Sequence, residues 1–282
     1  ASQWKIASNP AAIPTDPTKL TWISEDFEIL RINPRAQANS KETQKVLSVS
    51  YDFTDLATQE VSIVYPFSVS GIDLSQKTIL EVVMLGDGSA NEINFRFGGI
   101  DENADGSGIL RTEDTNGDGI LQPAEDIGFF YSAAGKPSAR YGSGNGIIDS
   151  DDLNKNGRLD PDDLNGGDFG YISGAVLHDV TDNIDHTNIN FTGPTWHTFQ
   201  IPLNISSATI SRWTNIKSIR VSIRKGGASV ANTGNMKFAR IAAVGNTWQR
   251  GQAGDPVLAG SGATAAGEKL TVTPVNSVDN PT

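Results

Sequence analysis

From Lys45 onward, apolar and polar residues alternate with a period of two. Across Val46–Phe53, the residues Leu47, Val49, Tyr51 and Phe53 fall on one face, as side chains on a strand do. Val61, Ile63 and Tyr65 repeat the pattern, and Ile93, Phe95 and Phe97 alternate with Asn94 and Arg96. Residues 78–85 form a fuller apolar run, suited to a central strand. It stops at Gly86-Asp87-Gly88, a turn signal. Strand patterns resume over 198–203, 216–223 and 236–244, with Ile219, Val221 and Ile223 set against Arg220 and Ser222. Short strands parted by Gly, Asn and Pro turns predict an all-β fold, a jelly-roll-like β-sandwich. Residues 1–44, punctuated by Pro10, Pro14, Pro17 and Pro34, show no long helical period.

The alternation stops after Gly98-Gly99 and does not return until about Gly170. Residues 101–168 hold 15 acidic and 5 basic side chains, so this stretch carries a net −10 of the chain's −11. A structureless loop of that length is out of place in a compact domain, and so much charge needs a cation or open solvent. The organisation expected is a sandwich over 1–250 interrupted by a calcium-loop insertion over 100–170. A Gly/Ala/Ser-rich linker over 251–268 and a last extended segment over 269–282 follow. A strand after a linker can return to its own sheet, begin another domain, or be donated to a neighbouring chain.

Within the insertion, Asp114 to Glu125 fits the 12-residue calcium loop D-x-[DN]-x-[DN]-G-x5-E without a mismatch. Calcium takes six to eight oxygens at about 2.3–2.6 Å. Asp114, Asn116 and Asp118 offer side-chain oxygens, Ile120 its carbonyl, and Glu125 both carboxylate oxygens, while Gly119 permits the sharp turn and Leu121 anchors the loop in apolar surroundings. A second loop offers Asp152, Asn154, Asn156, the Arg158 carbonyl, Asp160 and Asp163. A third, in a frame starting eleven residues earlier, keeps Asn145, Gly146 and Asp149 but has Tyr141 at its first position. Asp101, Asn103 and Asp105 open a fourth with a weaker end. Two or more Ca2+ ions are therefore expected, in a structural role: the flanking residues are too short and Gly-rich for the swinging helices of sensor proteins.

Other chemistries find little support. Cysteine is absent, which removes disulfides and thiolate sites. The negative charge argues against nucleic acid, and no apolar run is long enough to span a membrane as a helix. Paired carboxylates raise glycoside hydrolysis, but nearly every clustered acid holds a calcium-ligand position, so no enzyme is expected. His178-Asp179 and Asp185-His186 suggest a metal or a proton relay and are read instead as a polar loop. His197 is placed at a strand start on the exposed face. Trp4, Trp22, Trp196, Trp213 and Trp248 could stack on sugars, and are read as core. No signal peptide is visible, and Ala1 fits both a processed end and a fragment.

Taken in order, several stretches resemble the repeated extracellular-type module of SprA cell-surface proteins of gliding motility and type IX secretion. They are 46–53, 80–88, 95–99 running into Asp101, Thr112–Gly119 with Ala124-Glu125-Asp126, 145–163, Trp196–Leu203, 216–223 and 237–248. The loops themselves resemble those of dockerins and thrombospondin type 3 repeats. The resemblance implies a jelly-roll-like domain bearing calcium loops at the bacterial cell surface. Family members are far longer and contain a giant membrane barrel, which this chain lacks, and 270–280 looks like the family's lead into a following unit. The function expected is a structural or adhesive surface module, with self-association into a fibre or layer, or a neighbouring surface protein, as partner. Two alternatives stand: a carbohydrate-binding module with a glycan partner, and a fragment of a secretion-system outer-membrane protein.

Overall fold

The computed structural model describes residues 3–9, 15–54, 59–98, 102–103, 107–131, 139–141, 143–153, 155–160, 169–171, 177–186, 195–203, 205, 207–227 and 230–245. The chain divides into a unit over Ala1–Gly245 and another over Asn246–Thr282. The expected linker and terminal strand lie outside the described residues.

Two antiparallel sheets make the body of the first unit. One has five strands: β1 (Lys5–Ile6), β4 (Glu60–Pro66), β13 (Ser218–Arg224), β6 (Glu92–Gly98) and β9 (Phe169–Tyr171), in that spatial order. The other has seven: β11 (Ile184–His186), β10 (Leu177–Asp179), β12 (His197–Pro202), β5 (Ile79–Leu85), β14 (Thr233–Val244), β3 (Thr43–Asp52) and β2 (Leu20–Glu28). A ribbon of β7 (Phe129–Tyr131) and β8 (Ala139–Tyr141) lies within the acidic segment. Among the described residues, helix is confined to single turns, α1 (Ile29–Ile32), α2 (Ile210–Trp213) and a 3-10 turn over Pro17–Lys19. The all-β sandwich expected from the alternation is the fold found.

The inward faces meet in one core. Tyr51 and Phe53 of the β3 end, Val82 and Met84 of β5, Phe199 of β12 and Phe238 of β14 face Ile63 of β4, Phe95 and Phe97 of β6 and Val221 of β13, all at most 3 % exposed. Burying side chains of this size stabilises by about 1.5–3 kcal/mol each. The expected central strand over 78–85 is β5, fourth of seven in its sheet. Trp213 and Trp196 are buried, and Trp4 and Trp22 pack against the core, as expected of sandwich tryptophans; Trp248 lies outside the described residues. Pairing of β14 with β3 ends at Phe238–Leu47, where a bulge between Phe238 and Arg240 redirects β14 along β5 alone. Beside this divergence a cavity of about 570 Å³ opens, lined by Trp4, Tyr65, Phe67, Leu47 and Ile241.

Strand β2 departs from expectation. Its residues, LTWISEDFE, pair in register with β3 from Leu20–Tyr51 to Glu28–Thr43. As the edge strand it exposes most of its length, so the acids Glu25, Asp26 and Glu28 are tolerated where a central strand would exclude them.

The outer face of the five-stranded sheet is also covered. Every residue of β13 except Arg224 is buried, although Arg220 and Ser222 alternate with the core residues. Val64 pairs with both Lys5 and Arg220 in register, so all three side chains share that outer face. Val64 is fully buried, packed with Ala7 and with Leu153 of the acidic segment. The Lys5 ammonium reaches the Ile148 carbonyl at 2.8 Å and Asp149 Oδ1 at 3.2 Å. The acidic segment joins neighbouring strands β6 and β9 and folds back onto the sheet they belong to.

Candidate functional site

Three loops of the insertion are built to one plan. In the first, Asp114 receives the amides of Asp118 (3.0 Å) and Gly119 (2.8 Å) on its two carboxylate oxygens. Asn116 Oδ1 also accepts the Asp118 amide, and Asp118 Oδ1 accepts that of Ile120. In the second, Asp152 receives the amides of Asn156 (3.0 Å) and Gly157 (2.7 Å), and Asn156 Oδ1 that of Arg158. Such bonds close only if the chain reverses hand at loop positions four and six. Those positions have positive φ in both loops: Gly117 (74°) and Gly119 (76°), Lys155 (60°) and Gly157 (79°). Glycine adopts this conformation freely, so Lys155 is the one strained residue of the four. Position nine then ties back to position five: Gln122 Nε2 donates to Asp118 Oδ2 at 2.8 Å, and Asn156 Nδ2 to Asp160 Oδ2 at 2.6 Å.

The third loop follows the same plan with a carboxylate borrowed from elsewhere. Gly144 (φ 73°) and Gly146 (φ 71°) occupy positions four and six. Asn145 Oδ1 accepts the Ile147 amide, and Asn145 Nδ2 donates to Asp149 Oδ2 at 2.6 Å. Where Tyr141 offers no carboxylate, Asp126 supplies one: its oxygens accept the amides of Gly144 (2.7 Å), Asn145 (3.1 Å) and Gly146 (2.9 Å). Asp126 lies just past the closing Glu125 of the first loop, so the two loops are coupled through adjacent residues.

A glutamate closes each loop at position nine. Glu125 takes the amides of Gln122 and Thr115, both at 3.2 Å. Glu102 takes those of Asp160 and Leu153, both at 2.8 Å. Glu113 takes that of Asp149 at 3.0 Å, and that of Gly128. Each also returns its own amide to the carbonyl at position nine: Glu125 to Gln122, Glu102 to Asp160, Glu113 to Asp149. Glu102 and Glu113 are 4 % and 2 % exposed. The Thr115 hydroxyl, ahead of the amides of Gln122, Thr115 and Asn116, holds the Glu125 carboxyl below the usual range against the opposing effect of burial.

Of the residues singled out from the sequence, Asp114, Asn116, Asp118, Ile120 and Glu125 are brought together in one loop. So are Asp152, Asn156, Arg158 and Asp160 in the second and Asn145 with Asp149 in the third. Leu121 is half-buried. Arg158 also pairs with Asp160 Oδ1 at 3.3 Å. In the fourth, Asn103 accepts the Gly108 amide at 2.9 Å. Asp101, Asp105, Asn154 and Asp163 lie outside the described residues. The sequence reading missed Asp126, Glu102 and Glu113. Nothing in motif spacing points to them, because each serves a loop that starts 15 to 50 residues later; they could have been sought only as acids left over beside the motifs.

The donor set suits a hard divalent cation. The side-chain oxygens of Asp114, Asn116 and Asp118 each hold backbone amides of the loop, and a carboxylate has about four lone-pair directions, so these oxygens retain capacity for an ion. Lys5 brings its own positive charge to the third loop, at a side chain only 4 % exposed.

The sandwich carries a second polar centre that the sequence reading treated as a loop. Asp179, Asp182 and His197 each present a ligand atom, all within 4.8 Å of one another, the one such acid–imidazole set among the described residues. His197 is not on the exposed face: it shares the core side of β12 with Phe199, its ring stacked 6.0 Å away and its side chain 17 % exposed. Compared with known proteins, the chain matches no protein-family model and no curated protein. No helix among the described residues is long and apolar enough to cross a membrane.

Proposed function

We propose that this chain is an extracellular structural module whose acidic insertion is held in shape by calcium. The observation that carries the reading is the shared plan of the three loops. Carboxylates at Asp114, Asp152 and Asp126 each gather successive amides, with paired left-handed positions turning the chain around the same point. A loop of about 70 residues between adjacent strands costs roughly 2–3 kcal/mol more to close than a tight turn. Bound Ca2+ would offset that cost and neutralise the net −10 of the segment. Ligands in the first loop are Asp114, Asn116, Asp118, the Ile120 carbonyl and Glu125; in the second Asp152, Asn156, the Arg158 carbonyl and Asp160. Ions held by loops of this kind bind at roughly 10⁻⁴–10⁻³ M in extracellular modules, so they fill where calcium is millimolar, outside the cell.

We read the strand orders β3-β14-β5-β12 and β4-β13-β6-β9 as a jelly roll, with the insertion between its β6 and β9 strands. The resemblance to SprA-type modules is what supports reading it as a bacterial surface module in a structural or adhesive role. Association through residues 269–282 is the assembly route this reading favours. Trp213 is in the core, Trp4 and Trp22 pack against it, and Trp196 is buried against Phe27, which favours a packing role for them over a sugar-stacking platform.

The test is thermal melting of the full chain in millimolar calcium and in excess chelator. At millimolar calcium and dissociation constants of roughly 10⁻⁴–10⁻³ M, each site stabilises by about 0.4–1.4 kcal/mol. Calcium should raise the melting temperature, and Asp118→Ala should remove part of that gain while leaving the chelated protein little changed. Identical melts with and without calcium reject the proposal.

A further inference from the structure

All three histidines of the chain, His178, His186 and His197, gather at one corner of the seven-stranded sheet. Strands β10 and β11 form a hairpin at its edge, pairing from Leu177–His186 to Asp179–Ile184, and β10 then pairs with β12 through Asp179–Phe199. The turn between them reverses at Asn183, with φ 61°. This geometry brings together Asp179 at the end of β10, Asp182 in the turn and His197 at the start of β12, and sets His186 at the end of β11 against Asp182.

Asp179 is fully buried. One oxygen accepts the Thr181 amide at 2.8 Å, and the other lies 2.6 Å from His197 Nδ1. Asp182 accepts the Ile184 amide at 2.9 Å, and its other oxygen lies 2.9 Å from His186 Nε2. Two carboxylates, one without solvent, are thus held with ligand atoms no more than 4.8 Å apart. Like charges at that range repel, and a cation between them removes the repulsion.

We propose that Asp179, Asp182, His197 and His186 form a site for a first-row divalent transition metal, with zinc the ion its chemistry fits best. Three donors, the Asp179 and Asp182 carboxylates and the His197 imidazole, already lie within 4.8 Å of one another; His186, outside that set but 2.9 Å from Asp182, would supply the second imidazole as Asp182 swings in. Calcium and magnesium favour sets made of oxygen alone, whereas imidazole suits zinc, copper and nickel. The site therefore differs in kind from the oxygen-only loops of the insertion and stands independently of the calcium reading. Tetrahedral zinc with bonds of about 2.0–2.1 Å spaces its ligand atoms by roughly 3.3 Å. The pairs now at 2.6 and 2.9 Å would open by a few tenths of an ångström. Asp182, in the turn and with a side chain 32 % exposed, would swing in to close the remaining gap. Partners that set the ligands are already in place: the Thr181 amide on Asp179, the Ile184 amide on Asp182, and the Thr181 hydroxyl receiving the Thr198 amide at 2.8 Å beside them. The bound ion would pin the edge hairpin to β12.

The experiment is a calorimetric titration of the full chain with zinc chloride, after chelator stripping and in saturating calcium so that the insertion loops are filled. One zinc per chain should bind despite the calcium. Asp182→Asn and His197→Gln should each weaken it by roughly 10- to 100-fold, at least the loss that an outer-shell change produces. Cobalt in place of zinc should give tetrahedral visible bands that both substitutions abolish. Melting curves without metal establish that each variant folds; should His197→Gln fail, His186→Gln at the hairpin end replaces it. Absence of a calcium-resistant zinc site, or zinc affinity within about twofold of the parent in both variants, overturns the proposal.

Discussion

Glu113 gives the sharpest test of how the insertion is held. Its carboxylate bridges the amides of Asp149 and Gly128, 36 and 15 residues away, and its own amide reaches the Asp149 carbonyl. The side chain is 2 % exposed and Asp149 is 3 % exposed, so water has little access to the amides. Glu113→Ala would strand two buried N–H groups, each at a cost of about 1–3 kcal/mol, for a sum of about 2–6 kcal/mol. In a domain of this size 1 kcal/mol moves the midpoint by about 2–4 °C, so the variant should melt roughly 5–15 °C lower. Glu113→Gln keeps one acceptor oxygen and should lose about half as much. Calorimetry reads the shift, and native-state hydrogen exchange should show protection lost at Gly128 and Asp149 while β5 and β13 amides stay protected. A Glu113→Ala protein that melts within about 2 °C of the parent with both amides protected would refute the bridging role.

Two further outcomes follow from the sandwich. At Gly234 an added Cβ would lie 2.0 Å from Asp87 Oδ2 and 2.3 Å from Tyr51 Oη. That phenol also holds Asp87, Ser89 and Asn91, and burial pushes its pKa up to about 12. Gly234→Ala should therefore cost about 1–3 kcal/mol by overpacking, read by urea denaturation; no loss would mean the network yields. Burial raises the Glu60 carboxyl above its usual 4.5, against the pull of Arg224, Arg96 and Arg220. A carboxyl raised on folding favours the fold fully below pH about 4.5 and progressively less as pH climbs through the folded value. Glu60→Gln should thus raise the melting temperature at pH 7 and leave it unchanged at pH 3; a gain at both would put the cause elsewhere.

Much of the sandwich was legible because its core faces carry a period of two. Leu47, Val49, Tyr51 and Phe53, or Ile219, Val221 and Ile223, announce strands without reference to anything distant. The same pattern misleads at Arg220 and Ser222, which alternate as if wet yet are fully buried. Their neighbours on that face, Val64 and Ser62, meet Leu153, Ala7 and Asn9, far away along the chain, and local periodicity holds no record of them. Strand β2 was hidden for the opposite reason: as an edge it has one exposed flank, and its acids blur the alternation. In the insertion, the Asp-x-Asn-x-Asp-Gly spacing marks the loop whose amide-gathering side chains are contiguous. Asp126, Glu102 and Glu113 serve loops through tertiary folding, so their roles have no sequence spacing to betray them. His197 was misplaced because its face is decided by Asp179, met only after the chain has returned.

The two faces of the five-stranded sheet differ in what they could survive. The inner one is Ile63, Phe95, Phe97 and Val221; the outer one, beneath the insertion, places Arg220, Ser222, Ser62 and Asn94 in register. Ser62 and Ser222 hydroxyls bond each other at 2.9 Å, and Ser62 also reaches Asn9. Such a surface accepts water if its cover lifts, whereas the inner face would collapse. Opening of the insertion can therefore remain sub-global: in low calcium the acidic segment would become protease-sensitive while the paired strands beneath it stay intact. The module would then report the ion content of its surroundings by shedding a lid and keeping its frame.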